Sequence, residues 1–130
     1  MTENKKNPSG TKYDHGKEQW DLLPLNLLTG LVKVLTFGAW KYCRNGWQSV
    51  PDAENRYFSA LMRHLSAYQS GERYDKESGL NHLAHAMCNL VFLTYFDEIE
   101  ETLEEARESL NEVQRKDLNK ALDQFDIRRT

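Results

Sequence analysis

The sequence predicts an all-α protein: a compact helical bundle of about three core helices, followed by a C-terminal amphipathic helical arm. Three observations carry that prediction. Apolar residues recur at three- and four-residue intervals through most of the chain. No run alternates apolar and polar as a half-buried strand would. The breaks between periodic stretches hold the residues that stop helices, among them Asn45-Gly46, Pro51, Gly71 and Gly79.

Residues 1–12 are polar, include Pro8 and Gly10, and read as a flexible arm. A first helix is expected over about 23–42, with Asp21 as its cap and Pro24 in its first turn. Its apolar stripe is Leu27, Leu28, Leu31, Val34, Leu35 and Trp40. Gly30 and Gly38 inside it mark places where another helix can come close. Asn45-Gly46 and Pro51 then break the pattern, and Asp52 is placed to cap a second helix over about 53–70. Phe58, Leu61, Leu65 and Tyr68 are its spaced apolar residues. Residues 71–79 form a polar loop bounded by glycines, and a third helix runs from near Leu80 to about Phe96. Beyond it the apolar stripe thins to Ile99, Leu103, Ala106, Leu110, Val113, Leu118, Leu122 and Phe125, as one long helix or two. The chain thus divides into an arm (1–12), a helical core (13–96) and an acidic helical arm (97–130).

Composition narrows the function classes. At 130 residues the chain is one domain with enough length to bury a core. Residues 1–96 carry 11 basic and 9 acidic side chains, and residues 97–130 carry 6 and 11. A net charge of −3 provides no basic footprint for duplex nucleic acid. No window approaches the roughly 18 apolar residues of a membrane span, and the polar start is unlike a signal peptide. Cys43 and Cys88 make neither a CxxC pair nor a disulfide framework, so a reduced, cytoplasmic protein is expected. The apolar stripe of the acidic arm calls for cover by the same chain or by another copy, and a homo-oligomeric contact is expected.

Chemistry concentrates in residues 63–89, which hold three of the four histidines. His82, His85 and Asn89 are spaced i, i+3, i+7 and project from one side of the third helix. His64 lies about two turns back from the intervening loop, and that loop carries Glu72, Asp75 and Glu77. In an antiparallel helix pair these groups meet at similar depth. Imidazole nitrogen with carboxylate oxygen suits a transition metal such as Mn or Zn over bare Mg. Such an ion neutralises phosphate charge and acidifies a water. Arg63 and Arg73 have the guanidinium fork that matches phosphate oxygens. Lys17, in a turn before the first helix, is a candidate phosphate contact, and Lys41, Tyr42, Asn45 and Trp47 cluster around a helix end. The alternative for each is structural: satisfied core histidines, loop carboxylates paired with Arg73 and Lys76, and a Trp47 that plugs the core. Ser78 offers a cap for the third helix, as does Asp75.

Three strings, GKEQWDLLP, FGAWKYCRNGW and ALMRHLSAYQSGERYDKESGLNHLAHAMCNLVFL, resemble in this order the dATP/dGTP diphosphohydrolase N-terminal domain family, found largely in phages. The resemblance covers about residues 11–96. It implies an all-α protein that hydrolyses purine deoxynucleoside triphosphates to monophosphate and pyrophosphate with a divalent metal (Mn, Mg or Zn), in the cytoplasm of an infected host if phage-encoded. The group is similar in role to MazG-type pyrophosphohydrolases, which hold Mg with ExxE on one helix and ExxD on another. This chain departs from that pattern: it offers His64 on the second helix, His82-x-x-His85 on the third, and Glu72-x-x-Asp75 in a loop.

The expected site therefore has His64, Asp75, Glu77, His82 and His85 as metal candidates. Asp75, Glu72 and Arg63 are candidates for catalysis, and Lys17, Lys41, Asn45, Trp47 and Asn89 for binding a purine nucleotide. A non-catalytic nucleotide-binding protein, sequestering or regulatory, is the alternative. A helical interaction protein with core histidines is the third.

Overall fold

The computed structural model describes residues 10–125 and is all-α, with one isolated antiparallel bridge, between Tyr74 and Asn81, among the described residues. Of the expected N-terminal arm, residues 1–9 lie outside the described residues, and residues 10–12 are exposed.

Among the described residues four α-helices follow in order: α1 (Thr29–Lys41), α2 (Ala53–Gln69), α3 (His82–Glu108) and α4 (Glu112–Phe125). α1 starts later than its apolar pattern predicts. Trp20–Leu22 and Leu25–Leu28 are instead two 3-10 turns. Pro24 has no N–H to give, and Leu23 before it is extended, the conformation that a following proline favours. Asp21 therefore sits inside the first 3-10 turn and caps nothing.

α3 is the central element: His64 of α2 meets His82 and His85 and Tyr57 meets Phe92 and Phe96, so α2 runs antiparallel along its first half, and α1 packs on Ala84 and Cys88. Val34 of α1 is buried against Ala84 and Cys88 of α3, surrounded by Leu31, Leu35, Leu80 and Phe92. Gly30 marks the close approach that its position suggested: a Cβ there would stand 3.1 Å from the Ala84 Cβ. At Gly38 a Cβ would meet nothing within 4 Å, so that glycine serves no packing need.

An aromatic cluster closes the far end. Trp47, in a 3-10 turn at Gly46–Ser49, stacks on Phe92 at 4.3 Å and meets Tyr95 edge-on. Tyr57 packs on Phe92 and donates its hydroxyl to the Trp47 carbonyl, 3.0 Å away. Phe96, only 1% exposed, lies beneath both. Burial holds the Tyr57 hydroxyl and the Cys88 thiol protonated, each with its pKa pushed up to about 12.

The buried face of α2 is Ala53, Tyr57, Leu61 and His64, while Phe58, Leu65 and Tyr68 of the expected stripe are exposed. The helix is rotated because Tyr57 must reach the aromatic cluster and His64 must reach α3. Leu27, in the second 3-10 turn, and Trp40 of α1 are likewise exposed, and on α3 so are Leu83, Leu90 and Val91. Asp52 stands at the start of α2 in a left-handed conformation and accepts a bond from the Asn55 side chain, not from the helix N–H groups.

α3 continues unbroken past residue 97, where the composition turns acidic, and ends at Ser109. α4 starts with Asn111 and Gln114 bonding each other's backbone N–H, a reciprocal cap. Arg115 Nε donates to the Arg107 carbonyl and so ties α4 to the end of α3.

The two glycines of α1 should respond oppositely. Gly38→Ala should raise stability by about 0.5–1 kcal/mol from helix propensity. Gly30→Leu should cost about 1–3 kcal/mol by overpacking. Urea denaturation midpoints check both, and equal effects at the two positions would refute the close α1–α3 contact.

Candidate metal and phosphate site

The loop between α2 and α3 is doubly pinned. Gly71 and Gly79 both adopt positive φ, where a side chain would strain the backbone. Between them the chain folds on itself: Asp75 N–H bonds the Leu80 carbonyl at 2.8 Å, and His82 N–H bonds the Arg73 carbonyl at 2.9 Å. Asn81 then caps α3 by accepting the Leu83 N–H at 2.7 Å. These bonds fix where the first turn of α3 stands against the last turns of α2.

That register brings the three histidines together. The His64 and His85 rings stack at 4.4 Å and 6°. His64 Nδ1 and His82 Nδ1 lie 2.8 Å apart, so in the neutral pair one nitrogen carries a proton and the other accepts it. His82 is 4% exposed, and its Nε2 is buried without a hydrogen bond; Glu72 Oε2 is 3.5 Å from it. Ligand atoms of His64, Asp75 and His82 lie within 4.8 Å of one another. His85 Nε2 is 3.8 Å from Asp75 Oδ2.

Ser78 completes the arrangement. Its backbone N–H donates to Asp75 Oδ2 at 2.9 Å, and its Oγ lies 3.0 Å from that oxygen and 2.7 Å from His85 Nε2. Sequence alone suggests no more for Ser78 than a helix cap. Its spacing, three residues after Asp75 and seven before His85, carries no signal until the loop geometry is known.

Charge follows the geometry. Burial, reinforced by repulsion among the histidines, holds His64 below its ordinary pKa, with Asp75 opposing. Burial also lowers His85, again against Asp75. For Asp75, burial pushes the pKa up, but the two Ser78 bonds and the neighbouring imidazoles outweigh it and leave the carboxyl below its usual value. At neutral pH His64 and His85 are thus uncharged beside an ionised Asp75. A buried imidazole nitrogen without a partner, in a mixed nitrogen and oxygen donor set, fits a divalent ion such as Mn or Zn.

The remaining expected residues are placed differently. Glu77 pairs with Lys41 at the end of α1, which raises the Lys41 pKa, and reaches His85 only through its charge. The Lys41 ammonium also lies 5.0 Å from the Tyr42 ring centroid. Glu72 stands beside His82 and, more loosely, Lys76. Arg63 is exposed on α2, near enough for its charge to depress His64. Asn89 is buried and donates to the His85 carbonyl of its own helix at 2.9 Å. Trp47 is committed to the aromatic cluster, and Asn45 beside it takes a left-handed conformation. Lys17 is exposed in a turn closed by its N–H to the Asp14 carbonyl.

Comparison with known proteins bears on this site. The profile of the dATP/dGTP diphosphohydrolase N-terminal family matches residues 7–106, which extends the resemblance into the acidic half of α3. A dATP/dGTP diphosphohydrolase of Salmonella phage PMBT28 is 33% identical over 85 residues, 65% of this chain. That match spans 29% of the relative's length. No solved structure matches the chain.

The depressed histidines set a pH dependence of stability. As pH falls, the unfolded chain takes up protons near 6.5 while folded His64 and His85 still resist them. Their contribution is therefore full above about 6.5 and is lost below it. Thermal melts of the metal-free protein should show Tm falling as pH drops from about 6.5 toward 5. A flat Tm across that window contradicts the assignment.

Proposed function

The chain belongs to the dATP/dGTP diphosphohydrolase N-terminal family, and from that membership we propose that it hydrolyses purine deoxynucleoside triphosphates, dATP or dGTP, to the monophosphate and pyrophosphate, in a metal-dependent reaction. The observation that carries the proposal is the convergence of His64, Asp75 and His82 at the end of a doubly pinned loop. These three residues would hold the ion. When bound, a divalent ion supplies Lewis-acid activation of water and neutralises phosphate charge.

The protein's own groups account for the rest. Water attacks the α-phosphorus and pyrophosphate leaves, so a base must take the water's proton. His85 is suited to that role, because it lies beside the three converging residues and stays neutral at pH 7. The carboxylates Glu72 and Asp75 give the cluster a negative field that attracts a cation but repels a triphosphate, so phosphate binding needs further positive charge. Lys41 is held at the loop by Glu77 and is the cation we assign to the phosphates, with Arg63 and Lys17 as outer contacts. Trp47 is used in packing, which leaves Tyr42, 74% exposed next to Lys41, as the aromatic surface on the base side.

A homo-oligomer is part of the same proposal. Phe58 and Met62 of α2 and Leu83 and Leu90 of α3 are large apolar side chains left exposed. These side chains are the surface we assign to contact with a second copy. No helix among the described residues is long and apolar enough to cross a membrane, and a cytoplasmic location is proposed.

Pyrophosphate release from dGTP or dATP, with Mn or Mg, tests the reaction. Asp75→Asn keeps an oxygen to accept the Ser78 N–H, so the fold should survive while kcat drops by about 10²-fold or more. Intact nucleotide recovered after incubation with wild-type protein would favour a sequestering role, and no nucleotide binding at all would favour an interaction protein. For the oligomer, light scattering should give a multiple of 15.2 kDa, and Phe58→Glu with Leu90→Glu should return the monomer mass.

A further inference from the structure

The geometry points to Ser78 as a positioning residue that places the proton of His85 on Nε2 and leaves its lone pair on Nδ1. Donors and acceptors around one hydroxyl decide the matter. Ser78 Oγ has three neighbours within bonding distance: the Leu80 N–H at 3.1 Å, Asp75 Oδ2 at 3.0 Å and His85 Nε2 at 2.7 Å. A serine hydroxyl offers one proton and two lone pairs. The backbone N–H can only donate, so it occupies one lone pair. An ionised carboxylate can only accept, so it must receive the hydroxyl proton. The remaining lone pair faces His85 Nε2, which must then be the donor.

The opposite assignment fails on the same count. If the hydroxyl donated to His85 Nε2, its oxygen would face Asp75 Oδ2 at 3.0 Å with no proton between them. Two oxygens at that distance repel. Asp75 Oδ2 also accepts the Ser78 N–H at 2.9 Å, which anchors the carboxylate where this choice is forced. Ser78 therefore links an ionised carboxylate to a histidine tautomer through one rotatable proton, as carboxylate and carbonyl partners commonly do for site histidines.

The consequence for chemistry is which atom of His85 acts. With Nε2 protonated, the nitrogen available to take a proton from water is Nδ1. This use of the lone pair rests on the hydrolase reading above. The position of the proton does not, and it can be measured without metal or substrate.

Nitrogen-15 NMR of the metal-free protein at about pH 8, where an ordinary histidine is neutral, reads the tautomer from the shifts and couplings of the two ring nitrogens. Wild type should show His85 as the Nε2–H form, and Ser78→Ala should shift population toward Nδ1–H. Ser78→Thr, which keeps the hydroxyl, should restore the wild-type pattern. In turnover, Ser78→Ala should lower kcat about 10-fold or more with KM changed less than about twofold, the split expected when proton transfer is impaired but binding is not. Ser78→Thr should recover most of the rate. A wild-type His85 in the Nδ1–H form, or a tautomer unchanged in Ser78→Ala, overturns the proposal whether or not the protein hydrolyses nucleotides. Wild-type protein without turnover but with the predicted tautomers overturns the hydrolase reading and leaves the Ser78 assignment supported.

Discussion

Everything distinctive in this molecule depends on the antiparallel docking of α2 onto α3 through a loop whose internal hydrogen bonds hold one register. The bonds from Asp75 N–H to Leu80 and from His82 N–H to Arg73 set the relative height of the two helices. At that height His64 stacks on His85 and shares a nitrogen contact with His82. A slip of one helical turn, about 5.4 Å, would part His64 from His82 and His85. The aromatic cluster of Trp47, Tyr57, Phe92 and Phe96 holds the opposite end of the same helix pair, so the register is secured from both sides.

Grouping three imidazoles and a carboxylate in a small core has a cost. A buried polar group without a hydrogen bond costs about 1–3 kcal/mol, and His82 Nε2 is one. The fold limits the remainder by keeping His64 and His85 neutral and by satisfying Asp75 with two bonds from one serine. What is left is a cluster with an unpartnered nitrogen and a negative charge, an arrangement that a cation would stabilise. The Lys41–Glu77 pair draws the end of α1 to the same loop and so joins all three core helices at the site.

Much of this was legible in the sequence. Helical periodicity disclosed the fold class, and the glycine-bounded loop located the turn between histidine-bearing helices. The spacing of His64, His82 and His85 about that loop was enough to anticipate that they meet, because helix rise converts residue counts into depth. The faces of the helices were less legible. Phe58, Leu65 and Tyr68 share a stripe with Leu61, yet the inward face of α2 is Ala53, Tyr57, Leu61 and His64. Hydrophobicity does not record that His64 and the Tyr57 hydroxyl have partners inside. The late start of α1 was not legible either: Pro24 suits a first helical turn, yet Leu25–Leu28 form a 3-10 turn and the α-helix begins at Thr29.

By itself the sequence determined the all-α class, the order of the helices, the loop and the family. Those depend on local periodicity, on backbone stop signals and on residue identity. Tertiary structure alone decided how the candidate residues divide. Asp75 joins His64 and His82, whereas Glu77, two residues further on, pairs with Lys41. Ser78, inconspicuous in the sequence, comes to link Asp75 and His85. Directions within a tight turn change from one residue to the next, and only the folded loop fixes which carboxylate or hydroxyl faces the histidines.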